Sequence, residues 1–135
     1  MSLSGNAKIA GVIGFPVGHS LSPRLHGYWL NQYKIDGGYI PLAVSPENLT
    51  DALFALSKLG FVGANITAPH KEAAFNIVDS IDDIAARIGA VNTIVVLEDG
   101  SLEGRNTDGY GFIESLSAST DLQTIKDKPA VVVGA

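Results

Sequence analysis

The chain has 135 residues, 46% of them apolar and 17% charged. A chain of that length suits one domain and can bury roughly two-thirds of the surface its unfolded form exposes, which excludes a disordered tail or a fibrous repeat. Nine Lys and Arg stand against 14 Asp and Glu, a net charge of −5 with no basic cluster, so nucleic acid is not an expected partner.

The sequence has no Cys, which excludes disulfides, thiolate metal sites and a Cys nucleophile and agrees with a reducing compartment. No apolar run approaches the roughly 20 residues of a membrane helix, and Met1-Ser2-Leu3-Ser4-Gly5 lacks the basic and apolar regions of a signal peptide. The reading is a cytoplasmic protein without membrane partners.

In chain order, Lys8 to Gly14 reads as the first strand. Ser22-Pro23 then opens a helix, Ser22 as N-cap, with Leu25, Trp29 and Tyr33 on one face. A second strand spans Tyr39 to Val44. Ser45-Pro46 starts the next helix, which should bury Leu49, Leu53 and Leu56 and end at Gly60. Phe61 to Thr67 is the third strand, Pro69 opens a third helix, and Ser80-Ile81-Asp82-Asp83 a fourth. Val91 to Leu97 and Leu102 to Arg105 read as strands joined by a tight turn at Glu98-Asp99-Gly100-Ser101. A fifth helix runs from Asp108-Gly109 to about Ser117, a polar linker covers 118–129, and Val131-Val132-Val133 reads as a last strand. The alternation predicts an α/β fold: a mainly parallel open sheet with helices on both faces, in three layers, and at least one antiparallel strand from the turn at Gly100.

Chemistry-bearing residues fall at strand ends. In Gly14-Phe15-Pro16-Val17-Gly18-His19-Ser20 the glycine spacing is one residue short of a phosphate loop and His19 stands where a Lys is required. What remains is a pair of hydroxyls, Ser20 and Ser22, at a helix N-terminus, a place suited to a small carboxylate; the plainer alternative is that Ser22 caps the helix and Ser20 is a loop residue. Asn65 and Thr67 alternate with core-facing Ile66 near a carboxyl strand end, where α/β sheets place their ligands. Lys71 falls in the first turn of a helix, where a cation opposes the dipole at a cost of about 0.3–1 kcal/mol; it is either a proton donor or acceptor or a surface lysine offset by Glu72. Asp108 is either an N-cap or the acidic partner of such a lysine. Asn65, Asn92, Asn106 and Asp108 are more polar groups at strand ends than capping explains.

His19, His26 and His70 have no metal-ligand spacing, so no metal is expected. There is no Gly-x-Ser-x-Gly elbow for a serine hydrolase either. The final Gly134-Ala135, following an apolar run, is compatible with the start of a dinucleotide loop, but taken alone it reads first as an ordinary strand end.

Four stretches stand in an order that resembles the shikimate dehydrogenase family: Gly14 to Pro23, Asn65-Ile66-Thr67-Ala68-Pro69-His70-Lys71, Gly89-Ala90-Val91-Asn92-Thr93 and Gly104-Arg105-Asn106-Thr107-Asp108-Gly109. The resemblance runs from about Lys8 to Ala135. It implies an NADP-dependent enzyme that interconverts shikimate and 3-dehydroshikimate in aromatic amino acid biosynthesis, as a monomer or homodimer. The chain would be its substrate-binding and catalytic half over 1–117, with a linker at 118–129 and the first strand of the nucleotide-binding domain over 130–135, Gly134 and Ala135 beginning the cofactor loop. Carried over by position, Ser20 and Ser22 would bind the substrate carboxylate. Asn65, Thr67, Asn92 and Asp108, with Lys71, would hold the ring hydroxyls, and Lys71 and Asp108 would be the catalytic pair, either one the formal acid. The family also draws a Gln and a Tyr from its second half, so this polypeptide alone is not expected to transfer hydride. A quinate/shikimate dehydrogenase of broader specificity, an aminoshikimate-type relative, and a non-catalytic module that binds a small hydroxylated carboxylate are the alternatives.

Overall fold

The computed structural model describes residues 3–133; the expected cofactor-loop residues Gly134 and Ala135 lie outside the described residues. Six strands form one sheet: β1 (Lys8–Gly14), β2 (Gly37–Ala43), β3 (Phe61–Ile66), β4 (Ser80–Ile81), β5 (Thr93–Val96) and β6 (Leu102–Arg105), in the order β2-β1-β3-β5-β6-β4. β1 pairs in parallel with β2 and β3, and β4 with β6, whereas β5 is antiparallel to both neighbours. The antiparallel strand is therefore β5, turned by the hairpin in which Leu97 N–H donates to Ser101 O at 2.9 Å. β3 and β5 approach so closely that a Cβ at Gly63 would lie 2.3 Å from the Ile94 carbonyl oxygen, so only glycine fits there.

Five helices cover the sheet: α1 (Ser22–Gln32), α2 (Leu49–Lys58), α3 (Lys71–Phe75), α4 (Asp83–Ile88) and α5 (Asp108–Ser119). Strand alternation sorts the faces. Ile13, Ala64, Ile66, Ile94 and Leu102 join Leu49, Leu53 and Leu56 of α2, Ala74 of α3 and Ala85 of α4 in one buried cluster. Each fully buried Leu or Ile there contributes about 1.5–3 kcal/mol. The opposite face carries Ala10, Tyr39, Asn65 and Thr93, and α1 lies over it, where His26 and Leu30 help enclose a cavity of about 380 Å³. The three-layer α/β/α reading of the sequence stands.

Several local expectations are corrected. Ser22 is not the N-cap of α1: Leu21 already has helical angles, and its carbonyl accepts from the N–H groups of Arg24 and Leu25 at 3.1 Å. Ser22 thus sits inside the first turn, and its N–H is satisfied by Ser20 Oγ at 3.3 Å. The face with Leu25, Trp29 and Tyr33 buries nothing completely; these residues are 49%, 42% and 71% exposed. Pro69 does not open a helix, because His70 N–H first closes a turn onto Thr67 O at 3.0 Å and α3 begins at Lys71.

The fourth helix does not start at Ser80. Ser80 and Ile81 pair with the free edge of β6, and Asp82 caps α4 instead, its Oδ1 accepting from Ala85 N–H at 2.6 Å. α5 continues to Ser119, and the polar stretch after it contains a 3-10 turn at Leu122–Thr124 started by Asp121, whose carboxylate accepts from Gln123 N–H. Val131–Val133 form no strand: they pair with nothing among the described residues and are 78–91% exposed. Apolar residues become a strand only when a neighbour supplies hydrogen bonds and a face to bury against.

Candidate active site

Because β5 runs against its neighbours, its amino end lies beside the carboxyl ends of β1, β3 and β6. That single edge gathers the Gly14–Ser20 turn, Thr67 to Lys71, Asn92-Thr93 and Asn106 to Asp108. It is the edge where ligands bind in open α/β sheets.

Lys71 and Asp108 meet there. Lys71 Nζ donates to Asp108 Oδ2 at 2.6 Å, with side chains 37% and 53% exposed, so the pair is open to a ligand. The backbone at Lys71 is fixed by its neighbours. His70, fully buried, places a ring nitrogen 2.7 Å from the Val44 carbonyl oxygen, and Lys71 O accepts from Val91 N–H at 2.9 Å. Asp108 is held from the other side: its N–H donates to Asn106 Oδ1 at 2.9 Å, and Asn106 Nδ2 donates to Ala90 O. Buried Asn92 donates from Nδ2 to Asp108 Oδ1 at 2.8 Å. Partial burial pushes the Asp108 carboxyl up, but the hydrogen bonds from Lys71 and Asn92 and the Lys71 charge outweigh it and hold it below its ordinary 3.8. Its contribution to stability is therefore present above that value and lost as pH falls through the lower one.

Asn65 donates to Thr93 Oγ1 at 3.1 Å and accepts from the Tyr39 hydroxyl at 2.6 Å. Burial pushes the Tyr39 phenol up to about 12, against the opposing effect of the Ser22 side chain. Thr67 lines a cleft of about 420 Å³ with Lys71 and Pro69. Of the residues singled out from sequence, Lys71, Asp108, Asn92 and Asn65 are thereby linked in one network, Thr67 stands beside Lys71 on its rim, and Ser20 and Ser22 bond to each other at the start of α1. Sequence reasoning missed Tyr39, Thr93, Thr107 and the anchoring role of His70. Thr93 was signalled by its place directly after Asn92, and Tyr39 by an alternate strand position, but neither signal separates a site residue from an ordinary strand residue.

The turn after β1 does not fit a dinucleotide. In the glycine-containing turn after β1, Phe15 N–H is spent on Ala68 O and Ser20 N–H on Val17 O, and a Cβ at Gly14 would lie 2.5 Å from Thr67 Cγ2. The turn is closed by packing, not open to a pyrophosphate.

An open α/β domain that presents an ammonium–carboxylate pair and convergent amides at one sheet edge is the class of a small-molecule-binding domain. Residues 12–94 match the family model of the shikimate dehydrogenase substrate binding domain, and the chain belongs to that family. It is 58% identical over 133 residues to the NADP(+) shikimate dehydrogenase of Paramagnetospirillum magneticum, covering 98% of this chain and 48% of that relative. A shikimate 5-dehydrogenase from Thermus thermophilus, solved with NADP(H) and shikimate, superimposes with a TM-score of 0.78 at 41% identity, over 82% of this chain and 42% of that one. The 5-ketofructose reductase of Gluconobacter sp. strain CHM43 has the same fold, with a TM-score of 0.81 at 32% identity, over 87% of this chain and 42% of that one. The chain spans about half the length of the curated relatives it matches.

Proposed function

We propose that this chain is the substrate-binding and proton-handling half of an NADP-dependent enzyme that interconverts 3-dehydroshikimate and shikimate. The observation that carries the proposal is the partly exposed Lys71–Asp108 pair, with Nζ 2.6 Å from Oδ2, set beside Asn92, Asn65 and Thr67 at the ligand-binding edge of the sheet. Ser20 and Ser22 hold the substrate carboxylate, and Asn65, Thr67 and Asn92 hold ring hydroxyls. The closed turn after β1 supplies no cradle for the dinucleotide, and the roles assigned to this chain's residues are binding, orientation and proton transfer.

Asp108, held below its ordinary value, is ionised at neutral pH and has no proton to give. The hydrogens at the pair are those on Lys71 Nζ. In the reductive direction Lys71 hydrogen-bonds the substrate oxygen as negative charge develops there and gives it the proton, while Asp108 fixes the ammonium in place. The division into a substrate-binding unit over 1–117, a linker over 118–129 and a first cofactor-domain strand from 130 belongs to the same proposal. The exposed, unpaired Val131–Val133 support it, since such residues are suited to a second sheet. A cytoplasmic location, in keeping with the lack of Cys, and a monomer or homodimer as the assembly complete it. No helix among the described residues is long and apolar enough to cross a membrane.

The likeness to 5-ketofructose reductase favours one competing reading, an uncharged keto sugar as substrate. Ser20 and Ser22 argue for a carboxylate instead. In an enzyme completed by its second half, Lys71→Ala should lower kcat by about 10²–10⁴, the worth of a general acid, with a small change in KM. An unchanged kcat would remove Lys71 from proton transfer, and equal turnover of 5-ketofructose would favour the sugar.

A further inference from the structure

We propose that Tyr39 and Thr93 are positioning residues for Asp108: with Asn65 and Asn92 they form a chain of hydrogen bonds in which every donor points toward that carboxylate. The inference rests on the catalytic reading of Asp108 and extends it to two residues on the far side of the site.

The direction of the chain follows from groups that cannot be reversed. The Thr107 backbone N–H can only donate, and it lies 3.1 Å from Asn92 Oδ1, which fixes that end of the amide as the acceptor. Asn92 Nδ2 therefore faces Asp108 Oδ1, at 2.8 Å. The Asn92 backbone carbonyl can only accept, and it lies 3.4 Å from Asn65 Nδ2, which fixes the Asn65 amide. Its Oδ1 then faces the Tyr39 hydroxyl at 2.6 Å, so Tyr39 donates. Thr93 has one hydroxyl hydrogen. Its Oγ1 lies 2.9 Å from Asn92 Oδ1, which accepts, so the hydrogen is used there and Oγ1 accepts from Asn65 Nδ2 at 3.1 Å. The order is Tyr39 to Asn65 to Thr93 to Asn92 to Asp108, with no member free to turn around.

The chain crosses the sheet on the face under α1, from β2 over the small Ala10 of β1 to β3 and β5, and ends at the start of α5. Its far end is held by packing: the His26 ring stacks on Tyr39, centroids 3.9 Å apart and planes 2° from parallel. Lys71, from α3, is the charged group that faces Asp108, and Tyr39 with His26 are the titratable groups at the other end. Hydrogen bonds aligned in one direction polarise one another, so each donor upstream strengthens the last bond to the carboxylate. Asn92 can keep its amide aimed at Asp108 only while Thr93 and Thr107 occupy its oxygen. Thr93 and Tyr39 do not touch the reacting atoms and act through Asn92 and Asn65.

The test is the titration of the Asp108 carboxyl carbon, followed by NMR, together with solvent exchange of the Asn92 side-chain amide. Thr93→Val should move the Asp108 midpoint upward and speed Asn92 exchange by about tenfold, the worth of one net hydrogen bond; Thr93→Ser should restore both. Tyr39→Phe should shift the midpoint in the same direction by less, and it decides the matter if Thr93→Val does not fold. An Asp108 midpoint and an Asn92 exchange rate unchanged in the folded variants would overturn the proposal. These readouts need no substrate, so failure to bind or turn over shikimate contradicts the functional reading and leaves the chain of hydrogen bonds standing.

Discussion

The two faces of the sheet are built differently. Under α2, α3 and α4, Ile13, Leu53, Ala74, Ala85 and Val91 are fully buried in one apolar cluster. Under α1, no helix residue is fully buried, and the sheet presents Tyr39, Asn65 and Thr93 joined by hydrogen bonds beside an apolar cavity. One face supplies the stability that lets the other carry polar groups at half-burial. The contrast teaches that the site is a continuation of the sheet surface: the residues that aim Asp108 are strand residues, and the strands are held by the opposite face.

The sharpest way to break this contrast is to truncate a leucine on each face. Leu53→Ala should cost about 2–5 kcal/mol of unfolding free energy, because it opens a cavity in the packed cluster. Leu25→Ala, at a site 49% exposed, should stay within about 0.5 kcal/mol. Denaturant unfolding of the two variants decides it; equal losses would mean that α1 anchors the fold as firmly as α2 does.

A second prediction concerns the serines. Replacing Ser20 and Ser22 together by Ala should weaken binding of a substrate carboxylate by about 1–3 kcal/mol per lost charge-assisted bond, with a smaller loss of stability, since Ser20 also satisfies the Ser22 N–H. In an enzyme completed by its second half, calorimetry with the acid and with a neutral amide analogue separates the two contributions; retained affinity for the acid would assign Ser20 to the helix start alone.

The third and smallest effect is alkaline. The Tyr39 phenol keeps its proton to about 12 in the folded chain against an ordinary 10.0. The folded state holds that proton more tightly than the unfolded state, so the contribution to stability is complete below the ordinary value and is lost as pH rises toward 12. Tyr39→Phe should remove this part of the alkaline loss, as seen in the slope of unfolding free energy against pH.

Much of the frame was legible because it is written in local patterns. Leu49, Leu53 and Leu56 recur at helical spacing and are all buried; Asp99-Gly100 marks the hairpin; and Ile66 alternates with Asn65 as a half-buried strand requires. The misreadings came from competition between neighbours. Ser22 looked like a cap until Leu21 took helical angles, and Ser80 looked like a helix start until the open edge of β6 captured it while Asp82 supplied the better cap. In the site, Lys71, Asp108, Asn92 and Asn65 were visible as charges and amides at strand ends. Tyr39 and Thr93 were not, because their roles depend on which strands lie side by side, and the antiparallel insertion of β5 between β3 and β6 is a long-range pairing.

Whether these residues together form a substrate site is tested most directly by an NMR titration of the chain with shikimate, because fast-exchange shifts report binding too weak for calorimetry. Saturable shifts are expected at Ser20, Asn65, Lys71 and Asp108 while the amides of Leu53 and Ile94 stay in place. Shifts absent at these four residues in millimolar ligand, or spread evenly over the core, would contradict a site built on this edge of the sheet.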